Sequence, residues 1–148
     1  GDRGGAEAPR AAASLQGEVT GVSKPCPCNP SATYAACCQP LHEGAPADTA
    51  EALMRSRYSA YVLGLRDYLV ATWHPSTRPV PFELDDAPGL RWFGLEVRRH
   101  AQLGNETAVV EFVARYKPGG APAVRLHEIS RFERVDGRWL YVDGAFPK

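Results

Sequence analysis

All four cysteines of the chain lie between Cys26 and Cys38, in the string "CPCNPSATYAACC". No other feature of the sequence restricts local structure so sharply. Four thiols in so short a span can be cross-linked, can be unrelated free thiols, or can share one metal ion. Disulfides would allow three connectivities, but adjacent Cys37 and Cys38 make compact bridging awkward. Residues 1–23 also hold no apolar segment of signal-peptide type that would direct the chain to an oxidising compartment. Unrelated thiols would not be confined to one window. A metal accounts for the pattern best. Four thiolates match the tetrahedral, sulfur-rich set that zinc prefers, and a closed four-ligand set marks a structural site. Cys28 lies two beyond Cys26, so a tight turn stiffened by Pro27 can aim both sulfurs at one point. Cys37 and Cys38 then close the set from a short helical turn. A segment this small has almost no core of its own, so the metal supplies most of its folding free energy.

The rest of the chain reads as ordinary globular sequence. Its 148 residues suit one domain with a small appendage. Seventeen basic side chains balance 17 acidic ones, so no global field favours nucleic acid or an anionic membrane. Lys24 is the basic residue beside the thiols, too little for phosphate binding, and nucleic acid is not expected as a partner. No apolar run approaches the roughly 18 residues of a membrane span. The Gly- and Ala-rich stretch over 1–23 lacks periodicity and is expected to be a disordered tail. The reducing cytoplasm is the expected location.

The cysteine string resembles the SEC-C motif, a small zinc module first associated with the tail of the preprotein-translocase motor ATPase. Its pattern reads C-P-C-G-S-G-x-x-Y-x-x-C-C/H, and Cys26, Pro27, Cys28, Tyr34, Cys37 and Cys38 match in register. Asn29-Pro30-Ser31 replaces the Gly-Ser-Gly turn, and the lysines that usually flank the tyrosine are replaced by Ala32, Thr33, Ala35 and Ala36. The resemblance implies metal binding without carrying over the motif's contact with the export chaperone. Downstream, "TAEALMRSRYSAYVLGLRDYLVATWHPSTRP" and "HEISRFERVDGRWLYVDG" resemble the YchJ-like family, uncharacterised bacterial proteins that join a SEC-C module to a nuclear-transport-factor-2-like domain. The resemblance spans roughly residues 24–148 and implies a cone-shaped α+β fold. It brings no activity with it.

Read on its own terms, "QPLHEGAPA" over 39–47 is a linker. Asp48, with Glu51 three residues later, forms a capping box for a helix, along which Leu53, Met54, Arg57, Tyr58, Tyr61, Val62 and Leu65 recur at helical spacing. Asp67 caps a second helix, "DYLVATWH", ended by Pro75. After a proline-rich loop the period changes to two. "LRWFGLEVRRHAQL", "TAVVEFVARYK", "AVRLHEISRFERV" and "RWLYVDG" read as four strands joined by "GNE", "PGGAP" and "DG" turns. Helices followed by an antiparallel meander make an α+β domain, with the sheet curved around the helices. The expected organisation is a tail over 1–23, a zinc module over 24–41 and the α+β domain over 48–148.

Cones of this kind offer a concave site between helices and sheet. The aromatic inventory comprises Tyr58, Tyr61, Trp73, Trp92, Phe112, Tyr116, Trp139 and Tyr141, and aromatic stripes mostly fill cores. On the third strand Leu126, Glu128, Ser130 and Phe132 share one face and His127, Ile129, Arg131 and Glu133 the other. Either Glu128 or His127 points inward, and the pattern leaves the choice open. His74 can interact with the negative end of its helix. Arg57 lies nearer the apolar stripe than Arg55 and can pair with an inward carboxylate such as Glu128. The candidate pocket residues are Arg57, Tyr58, Tyr61, Trp73, His74, Trp92, His127, Glu128 and Trp139, with no catalytic residue assigned. No phosphate loop, nucleophile elbow or His-Glu-x-x-His pattern is present. A zinc-binding protein that contacts a protein partner through its module, holds a small ligand in the cone, or forms a homodimer is favoured over an acid–base isomerase, dehydratase or hydrolase. A hydrogen-bonded trio drawn from His74, Glu128, His127 and Tyr61 would reverse that preference.

Overall fold

The computed structural model describes residues 24–82 and 90–147. The expected tail over 1–23 lies outside the described residues. The chain opens with a two-stranded ribbon, β1 (Pro25–Cys26) and β2 (Asn29–Thr33), then a single 3-10 turn over Tyr34–Ala36 and the short helix α1 (Gln39–His42). The expected linker over 39–47 is therefore part helix. Pro40 sits in its first turn, where its missing N–H costs nothing.

The long helix α2 runs over Ala50–Leu63. Its N-cap is Thr49 rather than Asp48: Thr49 is extended, and its hydroxyl accepts from the Ala52 amide at 3.0 Å. Glu51 consequently falls in the first turn, where it pairs with Arg55 at 3.0 Å instead of closing a capping box. Gly64 ends the helix in the left-handed region, with φ of 74°. The next helix, α3, spans Arg66–Ala71 and stops three residues short of the expected end. Trp73 is the reason. Its flanking peptides bind the last strand, with Tyr141 N–H on the Thr72 carbonyl at 2.8 Å and His74 N–H on the Tyr141 carbonyl at 2.7 Å.

Four antiparallel strands follow in chain order: β3 (Arg91–Gln102), β4 (Thr107–Lys117), β5 (Val124–Val135) and β6 (Arg138–Ala145). They match the four expected strands closely. Asp136 and Gly137, both at positive φ, form the two-residue turn between β5 and β6. Shifts in register between Trp92 and Gly94, Val97 and Arg99, and Arg131 and Phe132 bend the sheet. Its concave face packs on α2 around Val110, Phe112 and Phe132. Burying Phe132 or Leu69 stabilises the fold by about 1.5–3 kcal/mol each.

The expected boundary between a module over 24–41 and a domain over 48–148 is not a gap in packing. Cys26, Cys28 and Cys38 belong to the same buried cluster as Leu53, Met54 and Tyr58. No helix among the described residues is long and apolar enough to cross a membrane.

Candidate metal centre and cavity

The β1–β2 ribbon brings Cys26 and Cys28 together, and the turn before α1 delivers Cys37 and Cys38. The four Sγ atoms all lie within 4.8 Å of one another, and all four cysteines are free. Cys28 Sγ is 3.6 Å from Cys26, 3.5 Å from Cys37 and 3.6 Å from Cys38, and Cys37 is 3.9 Å from Cys38. A tetrahedron of sulfurs around an ion at about 2.3 Å has an edge of about 3.8 Å. The donor set thus fits a four-coordinate metal in number, element and spacing. A disulfide would need its sulfurs at roughly 2.05 Å.

The electrostatics point the same way. Hydrogen bonding from Cys38, and then from Cys37 and Cys26, lowers the Cys28 thiol to about 5 against the opposing effect of burial. Cys37 is pushed up to about 12, first by burial and then by its bond to Cys28. Cys38 is raised by its bond to Cys28 and by burial, with Ser59 pulling the other way. Four thiolates side by side require a cation among them, and a divalent ion meets that need.

Helix α2 supplies the outer support. Ser59, fully buried, donates to Cys38 Sγ at 3.3 Å and lies 3.6 Å from Cys26 Sγ. Arg55 donates to the Cys28 carbonyl at 3.2 Å. His42 Nε2 lies 2.8 Å from the Ser56 carbonyl, which only an N–H can approach, so Nδ1 accepts from the Tyr34 hydroxyl at 2.7 Å. Burial lowers the His42 pKa, opposed by that carbonyl.

On the other side of α2, between helix and concave sheet, lies a cavity of about 300 Å³. Arg57, Tyr58, Tyr61, Trp92 and Glu128 all line it. The Trp92 ring meets Tyr58 at 5.7 Å, Tyr61 at 5.9 Å and Tyr116 at 4.8 Å between centroids. Glu128, not His127, faces inward. Its Oε2 accepts from Ser130 at 2.6 Å and from the Tyr141 hydroxyl at 3.0 Å. Arg57 donates to the Leu69 carbonyl at 2.9 Å and to Thr72 Oγ1 at 2.6 Å. Its guanidinium carbon stands 5.0 Å from the Trp73 ring centroid and 4.6 Å from that of Tyr141. Burial pulls its pKa down, and Tyr61, Tyr141, Tyr68 and Glu128 push it back. No direct Arg57–Glu128 ion pair forms among the described residues. Tyr141 stands between them, its ring against the cation and its hydroxyl on the carboxylate.

Four sequence candidates fall outside the cavity. Trp73 supports Arg57 from behind. His74, past the end of α3, accepts from the Ser76 amide at 3.1 Å and faces Glu133 at 3.4 Å. His127 lies on the convex face, 2.7 Å from Glu111. Trp139 is core, 3% exposed, with Arg134 over its ring at 5.3 Å. The trio drawn from His74, Glu128, His127 and Tyr61 is therefore not assembled; Glu128, Ser130 and Tyr141 form a trio instead. Ser130 could have been found from its place two residues along the same strand face. Gly144 could not: a Cβ on it would lie 2.5 Å from Glu128 Cδ, a proximity that depends on strand register.

The family described as YchJ, middle NTF2-like domain, matches residues 49–144. A UPF0225 protein of Xanthomonas campestris pv. campestris strain 8004 is 55% identical over 119 residues, covering 80% of this chain and 92% of its own. A UPF0225 protein of Ralstonia nicotianae is 58% identical over 130 residues, covering 80% and 89%. The solution structure of a SEC-C motif containing protein from Rhodopseudomonas palustris is similar at a TM-score of 0.69 and 36% identity. It covers 78% of this chain and 93% of that one.

Proposed function

The chain belongs to the YchJ (UPF0225) family, and on that footing we propose that it is a zinc-stabilised small-ligand-binding protein. Cys26, Cys28, Cys37 and Cys38 hold one structural zinc, and the cone between α2 and the sheet is the working site. The observation that carries the metal assignment is the sulfur spacing of 3.5–3.9 Å around Cys28 and Cys37. Zinc suits it because four sulfurs in a tetrahedron are its preferred structural set. The zinc would fold the module and fix it against α2. The reducing cytoplasm, where thiols stay free, suits such a cluster. Binding is preferred to acid–base catalysis because none of the histidines lines the cavity, among the described residues. The uncharged, exposed rim of the module at Asn29, Pro30, Ser31, Thr33, Ala35 and Ala36 is where a protein partner would dock.

Native mass spectrometry of protein purified without added metal tests this reading. One zinc per chain, released on acidification, is the expected result. Zinc-free protein carrying two disulfides would overturn it. The same spectrum shows directly whether the chain is a homodimer or retains a small molecule.

A further inference from the structure

Three features of the cavity narrow what it takes. The first is its walls. The Trp92 ring stands among Tyr58, Tyr61 and Tyr116, a surface that gains most contact from a flat apolar ring. The second is Glu128. Both protein donors, Ser130 and Tyr141, bind the same oxygen, Oε2, and Oε1 has no hydrogen-bond partner among the described residues. It is not sealed away either: the buried partnerless side-chain atoms are Trp73 Nε1, His100 Nε2 and Trp139 Nε1. Glu128 is 92% withdrawn from solvent, at 8% exposure, and lines the cavity. An acceptor oxygen is thus held ready inside an aromatic chamber. The third is Arg57. Its guanidinium is already engaged by Leu69, Thr72 and the rings of Trp73 and Tyr141, so it offers little to an incoming anion. It does compensate the carboxylate's charge.

The balance of these groups decides the ligand's charge. A cation would add a second positive charge beside Arg57, and an anion would face Glu128. A neutral donor does neither, and it satisfies the open oxygen. We propose that the cavity binds an uncharged flat ring carrying an N–H donor, the ring against Trp92 and its tyrosines and the N–H on Glu128 Oε1. The inference rests on the cone being a ligand site.

The test uses the full zinc-loaded chain and four probes matched in size: 2-aminopyrimidine, benzamidinium, benzoate and toluene. Affinities come from saturation-transfer NMR and from quenching of tryptophan fluorescence. The expected order places 2-aminopyrimidine at least tenfold tighter than each of the others. Glu128→Leu weakens it about tenfold or more and leaves toluene unchanged. Trp92→Leu weakens 2-aminopyrimidine and toluene alike, and keeps the proposal testable should Glu128→Leu fail to fold. Benzamidinium or benzoate binding as tightly as 2-aminopyrimidine, or Glu128→Leu without effect, overturns the assignment of ligand class while leaving the cone a ligand site. If no probe binds, toluene included, the ligand-site reading itself falls.

Discussion

Gly144 offers the most direct test of how the cavity carboxylate is held. It sits in β6 opposite Ser130, and a Cβ there would lie 2.7 Å from Glu128 Cγ and 2.5 Å from Cδ. Contacts that short with the stem of the side chain are not relieved by moving its tip. The whole Glu128 side chain must leave in Gly144→Ala, and with it the bonds from Ser130 and Tyr141. Hydrogen bonds to a charged group are worth about 1.5–3 kcal/mol each, and water returns part of that to a displaced carboxylate. Alanine also gains about 0.5–1 kcal/mol over glycine within a strand. The balance is a loss of about 2 kcal/mol, or about 4–8 °C in Tm for a chain of this size. Urea unfolding at constant metal load, followed by tryptophan fluorescence, measures it. In a Glu128→Ala background the obstacle is gone, so adding Gly144→Ala should be neutral or slightly stabilising. The interaction energy of that cycle is then about 2 kcal/mol. Equal stability of Gly144→Ala and the parent, or the same cost in both backgrounds, would refute the reasoning.

Three further outcomes are expected. His42 is half-buried, and that partial burial lowers its pKa, so between pH 6.5 and its folded pKa the unfolded chain binds more protons. Stability from this group is complete above pH 6.5 and declines as pH falls through that interval; a His42 Cε1 NMR titration with a midpoint above 6.5 would contradict this. Arg57→Leu removes the shorter of the two bonds to the Leu69 carbonyl and leaves Glu128 without its compensating charge, and should cost about 3 kcal/mol in urea unfolding. A loss below about 0.5 kcal/mol would show that the cation is dispensable. Removing metal with a chelator should lower stability by several kcal/mol in one calorimetric transition, since Cys26, Cys28 and Cys38 share a core with α2. Two separate transitions would show that the module folds alone.

Local rules carried the sequence reading a long way. The meander was readable because each strand of β3–β6 is eight residues or longer, rich in β-branched and aromatic residues, and bounded by glycine or proline turns. The cysteine cluster was readable because its four residues are close in sequence. What failed were the features decided by partners far along the chain. Capping rules pointed to Asp48, whereas the cap is Thr49. The end of α3 is set by Tyr141 in β6, not by Pro75. The inward face of β5 could not be assigned because Leu126 and Phe132 lie on one side and Ile129 on the other. Register against β6 and the room left by Gly144 bring Glu128 into the cavity and leave His127 with Glu111 outside.

The burial of α2 explains why the two parts occur in one chain. Ser56, Ser59 and Ala60 are all buried, at 0% exposure, on a side of the helix that would not need to be small and uncharged if it faced solvent. Ser59 is withdrawn because the thiols lie over it, and Ser56 because its carbonyl receives His42 and its hydroxyl meets Tyr68 at 2.6 Å. Small side chains there let the cysteine turn approach the helix backbone. Between these two serines, Arg57 and Tyr58 turn the opposite way into the cavity, where the Tyr58 hydroxyl accepts from the Gly94 amide at 3.1 Å. The helix that walls the cavity is therefore the one the cysteine module clamps. Its position against the sheet depends on contacts from both faces, and a domain without the module would expose the serine face.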